Sequence, residues 1–280
     1  MRVKSPAEPS FAELDIDGRR QRLEYEWIGS GRRDVPVIVF LHEGLGSLAM
    51  WKDYPHSLCA AAGARGLVFS RYGYGRSTPR PATEKWPVEF MHAQAHDVLP
   101  ALFARLGLTD APWLFGHSDG GSIALLHAAA FPERVAGLVV VSPHVFVEEV
   151  TVASIERARL AYAATDLRRK LARYHVDADS AFHGWNDIWL DPAFRAWNIE
   201  DCLPGVRCPL LVVQGEDDEY GTMAQVDAIA RLVPHARMLK LPACGHSPHR
   251  DQPGALSAAV VAFLREHPRA PAHSALADRT

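Results

Sequence analysis

The chain has 280 residues, 48% of them apolar and 22% charged, with 30 Lys and Arg against 33 Asp and Glu for a net charge of −3. That balance excludes a disordered or fibrous chain, and near-neutrality gives no global reason to bind nucleic acid or an anionic membrane. Cys59, Cys202, Cys208 and Cys244 form no CxxC pair and no zinc-ligand spacing, which suits a reducing compartment. The opening MRVKSPAEPSFAELDIDG lacks the apolar run of a secretory signal, and no stretch approaches the ~20 apolar residues of a membrane span. A soluble, cytoplasmic protein is expected.

In chain order, residues 1–10 read as a loose lead-in. FAELDI and RQRLEYEWI then flank Asp17-Gly18, a dipeptide that favours a tight hairpin turn. From there short Val/Ile/Leu-rich runs recur at 35–41, 67–70, 113–115, 136–142, 209–214 and 236–241. They do not alternate, as expected of strands buried on both faces. Helical segments fall at 51–62, 89–106, 120–130, 222–233 and 253–266, so the pattern predicts a mostly parallel sheet flanked by helices. The rhythm breaks between Pro143 and Cys208, where the helix EEVTVASIERARLAYAA and further helical turns to Leu190 replace strands. Aromatics crowd this insert (Phe146, Tyr162, Tyr174, Phe182, Trp185, Trp189, Phe194, Trp197). Two readings stand: rings that pack the insert onto the core, and rings that wall a substrate pocket. The tail 269–280 has no periodicity and is expected to be disordered.

The most specific signal is Gly116-His117-Ser118-Asp119-Gly120, set between the strand PWLF and the helical SIALLHAAA. This is a G-x-S-x-G elbow in its strand–turn–helix context, which pushes a Ser hydroxyl out at a strand end and aims a helix N-terminus at the reacting centre. Such a serine needs a base and an orienting carboxylate. Acids follow the strand PLLVVQ at Glu216-Asp217-Asp218-Glu219, and histidines follow the strand ARMLKL at His246 and His249. A metal pair at His246 and His249 is the rival reading, for which no third ligand lies nearby.

The order Ser…Asp…His and the surrounding elements resemble the α/β-hydrolase superfamily over about residues 20–266. The resemblance implies a core of 11–142 and 208–268 carrying a helical cap at 143–207. It selects Asp218 over Asp217, three residues after the strand-end Gly215, and His246 over His249 through the Gly-His step. It also implies an oxyanion hole from the N–H groups of Asp119 and Gly44. Trp51, nine positions past His42, keeps that register, although Glu43 stands where a glycine is usual. Glu43 is read either as backbone alone or as a carboxylate beside the hole that acts on substrate. Glu43, His117, Trp185 and Trp189 are the residues assigned to substrate contact. Ser70–Ser77 resembles the family's G-x-G-x-S loop, whose role is structural support.

The resemblance therefore implies a serine hydrolase of a small ester or lactone, acting on a small-molecule acyl substrate with no metal or organic cofactor. Relatives with an Asp nucleophile, the haloalkane dehalogenases and epoxide hydrolases, are set aside by Ser118. C–C hydrolysis of ring-fission products ranks behind, because those enzymes commonly carry Met where Asp119 stands. Thioester hydrolysis, then perhydrolysis, and a ligand-sensing receptor or pseudo-enzyme on the same fold are the further alternatives.

Overall fold

The computed structural model describes residues 10–29 and 34–268. The expectations for 1–9 and 269–280 lie outside the described residues, while Ser10 already belongs to the first strand. The strands are β1 Ser10–Ile16, β2 Arg19–Ile28, β3 Val37–Leu41, β4 Arg65–Phe69, β5 Trp113–His117, β6 Gly137–Val141, β7 Leu210–Gly215 and β8 Arg237–Leu241. They form one sheet of eight in the order β1-β2-β4-β3-β5-β6-β7-β8. β1 and β2 are antiparallel to their neighbours, and every pairing from β4 to β8 is parallel. The hairpin turn falls at Asp17 and Gly18, with φ of 52° and 75°, the two positive values that an Asp-Gly turn supplies most easily.

The unbroken apolar runs are explained by what covers the sheet. Val39, Leu41, Leu114, Leu138, Val140 and Val212 face one core, while Ile38, Phe40, Phe115, Val139, Val141 and Val213 face another. Helices α1 Tyr54–Ala62 and α10 Pro253–Glu266 pack on the second face through Leu58, Leu256, Val260 and Phe263. On the first lie α2 Phe90–Ala93, α3 Leu99–Arg105, α4 Asp119–Ala130 and α8 Met223–Leu232. The single helix expected over 89–106 is interrupted by a π-helical turn at Gln94–Val98. Pro100 is the reason: it has no N–H to give the carbonyl four residues back, and its ring crowds that carbonyl.

Between β6 and β7 the insert holds α5 Glu149–Ala164, α6 Leu167–Leu171 and α7 Ala178–Trp189. Phe182, Trp185, Trp189, Phe194 and Trp197 are all buried and belong to the same core as α4, so these rings weld the insert to the body. A short α9, Pro248–Asp251, was not foreseen; one turn is too brief to show periodicity. No helix among the described residues is long and apolar enough to cross a membrane.

The strand order reverses at β3, which lies between β4 and β5. Loops leaving the carboxyl ends of the parallel strands on either side of such a point enclose a crevice. Gly44, Ser118, Asp218 and His246 all follow carboxyl ends, those of β3, β5, β7 and β8.

Candidate active site

Ser118 occupies the single residue between β5 and α4, at φ 53° and ψ −121°. A side chain rarely adopts that backbone, and the site holds it by close packing on both sides. A Cβ on Gly116 would sit 2.2 Å from the Gly120 carbonyl oxygen, and one on Gly120 would sit 2.1 Å from that of Leu41. Only glycine fits either position. The Ser118 N–H donates to Val141 on β6 (2.9 Å), and its carbonyl accepts from Gly121 and Ser122, which starts α4.

His246 and Asp218 are brought together. Nδ1 of His246 lies 2.8 and 2.9 Å from the two Asp218 carboxylate oxygens. Asp218 also accepts from the Tyr220 N–H (2.8 Å), the Gly221 N–H (3.2 Å) and Gln214 Nε2 (2.9 Å). Burial alone would raise its pKa, but the His246 hydrogen bond and charge and the Tyr220 N–H outweigh burial and hold it below the usual range. Asp217 is exposed, and its backbone N–H bonds the Cys244 carbonyl. His249 is buried among Trp51, Tyr54 and His117, and burial pushes its pKa down to about 2. Among the described residues no group of three or more His, Cys, Asp or Glu could hold a metal, and no hydrogen bond joins Ser118 Oγ to the His246 ring.

The residues assigned to substrate contact are placed as follows. His117 Nε2 donates to the His246 carbonyl (2.7 Å), and its Nδ1 lies 3.6 Å from Glu43 Oε2, so this ring ties the elbow strand to the loop that carries His246. Glu43 also reaches Arg250 on α9 (3.3 Å) and lies where a Cβ on Gly46 would be. Burial acts to raise the Glu43 carboxyl, and His117, then Arg250, pull it well below its ordinary range. Trp185 lies over Gly44: a Cβ there would come within 2.1 Å of the indole. Trp189 donates from Nε1 to the Asp119 carboxylate (3.2 Å).

Three further residues escaped the sequence reading. Arg71, 2% exposed, donates to the Glu43 carbonyl (2.8 Å), while its Nη2 lies 3.6 Å from Asp119. His144 is fixed by reciprocal hydrogen bonds with Ser122 on α4 and has its ring 5.8 Å from that of His246; burial, then the His246 charge, press it down to about 3. His175 accepts from the Gly75 N–H (3.0 Å) and donates to the Leu45 carbonyl (3.1 Å), pinning the insert to the loop that carries Gly44. The first stood inside a recognised loop; a histidine's partners leave no mark in local spacing.

Residues 38–259 match the model of the alpha/beta hydrolase family. Epoxide hydrolase 4 of Mus musculus is 24% identical over 88% of this chain and 78% of its own length. The mouse sn-1-specific diacylglycerol lipase ABHD11 is 27% identical over 91% of this chain and 89% of its own. The enol-lactonase of Burkholderia xenovorans LB400 superposes with a TM-score of 0.69 at 23% identity, covering 90% of this chain and 99% of that one. With the family model spanning most of its length and the mostly parallel sheet that the family builds, the chain belongs to the alpha/beta hydrolase family and is an enzyme of that family.

Proposed function

We propose that this enzyme is a serine hydrolase of a small carboxylic ester or lactone. The observation that carries the reading is the Asp218 carboxylate on His246 Nδ1, since a base oriented at Nδ1 leaves Nε2 to serve the neighbouring elbow serine. Ser118 Oγ attacks the substrate carbonyl and His246 takes its proton, Asp218 balancing the imidazolium. The oxyanion is held by the N–H groups of Asp119 and Gly44, neither of which has an internal partner among the described residues. His246 then returns the proton to the leaving oxygen. A water, deprotonated by the same ring, releases the acid from Ser118.

The Trp185 ring over Gly44 favours a small substrate. Likeness to an enol-lactonase supports lactones within the class. Likeness to a protein named epoxide hydrolase does not extend to epoxide opening here, because Ser118 stands at the nucleophile position. Turnover of p-nitrophenyl acetate, and labelling of Ser118 by a fluorophosphonate, test the proposal. An adduct mapped to any other residue, or turnover unchanged in Ser118→Ala, overturns it.

A further inference from the structure

Gly44, Ser118 and His246 follow the ends of three different strands, and β8, which leads to His246, is the edge strand, three places from β5. Ladder hydrogen bonds fix the strands and leave the loops beyond them free, yet a reacting constellation must hold its register to about 0.5 Å. The Glu43 side chain closes that register. Its Oε2 lies 3.6 Å from Nδ1 of His117, the residue before Ser118, and His117 donates from Nε2 to the His246 carbonyl (2.7 Å). Its Oε1 lies 3.3 Å from Arg250 Nη2. The segment from Gly245 to Asp251 is tied to itself: the Gly245 N–H donates to the Asp251 carboxylate (3.0 Å) and the Arg250 N–H to the Ser247 carbonyl (2.7 Å). A hold on Arg250 is therefore a hold on His246.

The backbone of the same residue aims the donor. A trans peptide points its C=O and N–H in opposite directions. The peptide joining Glu43 to Gly44 is trans, and its carbonyl accepts from His42 Nδ1 (2.7 Å), Arg71 Nη2 (2.8 Å) and the Gly46 N–H (3.0 Å). The carboxylate folds back under its own loop, where a Cβ on Gly46 would lie 2.3 Å from Oε2, so Gly46 makes the room for it. Each oxygen is turned to a protein partner and the side chain is 16% exposed, which favours a role inside the protein over contact with substrate.

We infer that Glu43 is a positioning residue, whose carboxylate holds the Gly44 N–H in register with Ser118 and His246 and does not touch substrate. The inference rests on the serine-hydrolase reading above. What the site takes from this side chain is length and two polar ends rather than charge. Gln supplies both, its amide N–H donating to His117 Nδ1 and its carbonyl accepting from Arg250, whereas Asp keeps the charge and falls one methylene short.

Glu43→Ala, Glu43→Asp and Glu43→Gln, each in the full chain, are compared with the unaltered protein on p-nitrophenyl acetate and butyrate, with the folded fraction read from urea unfolding. Glu43→Ala and Glu43→Asp should lower kcat by about 10- to 100-fold on both esters while KM stays within about 3-fold, because a displaced donor weakens transition-state binding alone. Glu43→Gln should recover kcat to within about 5-fold of the unaltered protein. An unchanged kcat in folded Glu43→Ala would make these contacts purely structural and overturn the inference. Glu43→Gln as impaired as Glu43→Ala would give the charge itself to the chemistry, which also overturns it. Should Glu43→Ala not fold, a kcat for Glu43→Gln above that of Glu43→Asp supports the inference and any other order overturns it. Ser118→Ala, run alongside, separates this result from the reading beneath it: activity that survives there overturns the hydrolase reading, whereas full activity in Glu43→Ala overturns only the role of Glu43.

Discussion

Asp119 separates two functions within one residue: its N–H faces the proposed oxyanion, and its buried carboxylate is turned to Trp189 and Arg71. Burial pushes that carboxyl up, and Arg71 only partly opposes it, so the carboxylate is held at a cost. Asp119→Ala keeps the N–H and strands a buried guanidinium. We expect a stability loss of about 3–5 kcal/mol by urea unfolding, with kcat of the folded enzyme lowered less than about 10-fold. A kcat loss of 10³ without loss of stability would instead place the carboxylate in the chemistry. At the proposed triad, Ser118→Ala and His246→Ala should each lower kcat by on the order of 10⁴-fold or more, and the double variant should be little worse than either. Additive losses would show that the two do not act as one unit. Asp218→Asn should cost about 10⁴-fold and Asp217→Asn far less, because only Asp218 touches the His246 ring.

Among the elements, α7 shows how far local sequence reaches. Its 12 residues present Phe182, Trp185 and Trp189 at helical spacing, and that much was legible. Which ring meets which partner was not, since Gly44 and Asp119 lie over 65 positions away in the chain. Strands β3 to β7 were legible because burial on both faces writes continuous apolar runs; β8 was expected to be buried likewise, but as the edge strand it leaves Arg237 and Lys240 exposed. That acids at 216–219 and histidines at 246 and 249 follow strand ends was legible in the chain, whereas the choice of Asp218 and His246 among them came from the family resemblance. Arg71 was hidden for the opposite reason: a buried arginine is made tolerable only by a distant carboxylate. The packing of Trp185 on Gly44 gives this element its own test. Trp185→Ala removes apolar contact worth roughly 1–3 kcal/mol and opens the space above the loop. We expect kcat/KM for a benzoate ester to change by about 10-fold or more relative to an acetate ester, in either direction. A lower melting temperature with an unchanged ratio would assign the ring to the core alone. Gly44→Ala, whose new methyl group would lie inside the indole, should reduce activity on both esters alike.

Across the whole molecule, histidines from distant elements share one electrostatic condition. Burial is the first cause that pushes His144 on the β6 loop to about 3, His175 in the insert to about 4 and His249 on α9 to about 2. In the unfolded chain each would take a proton near pH 6.5, whereas the folded protein refuses it until far lower pH. The unfolded state therefore binds more protons throughout that window, and stability falls as the solution is acidified below about pH 6.5. Glu43 and Asp218, held low in the fold, add their own loss only at lower pH, as they approach protonation. The first stage of acid weakening is thus assigned to imidazoles. Each contributes a slope of at most about 1.4 kcal/mol per pH unit. His249 is the ring to remove, because both its nitrogens lack partners and its neighbours are aromatic. His249→Phe should stabilise modestly at pH 7 and by about 2 kcal/mol more at pH 5, flattening the decline by one proton's worth. Urea midpoints for both proteins at the two pH values measure this. Parallel declines would mean that His249 takes up no fewer protons folded than unfolded, and would remove it from the account of acid sensitivity.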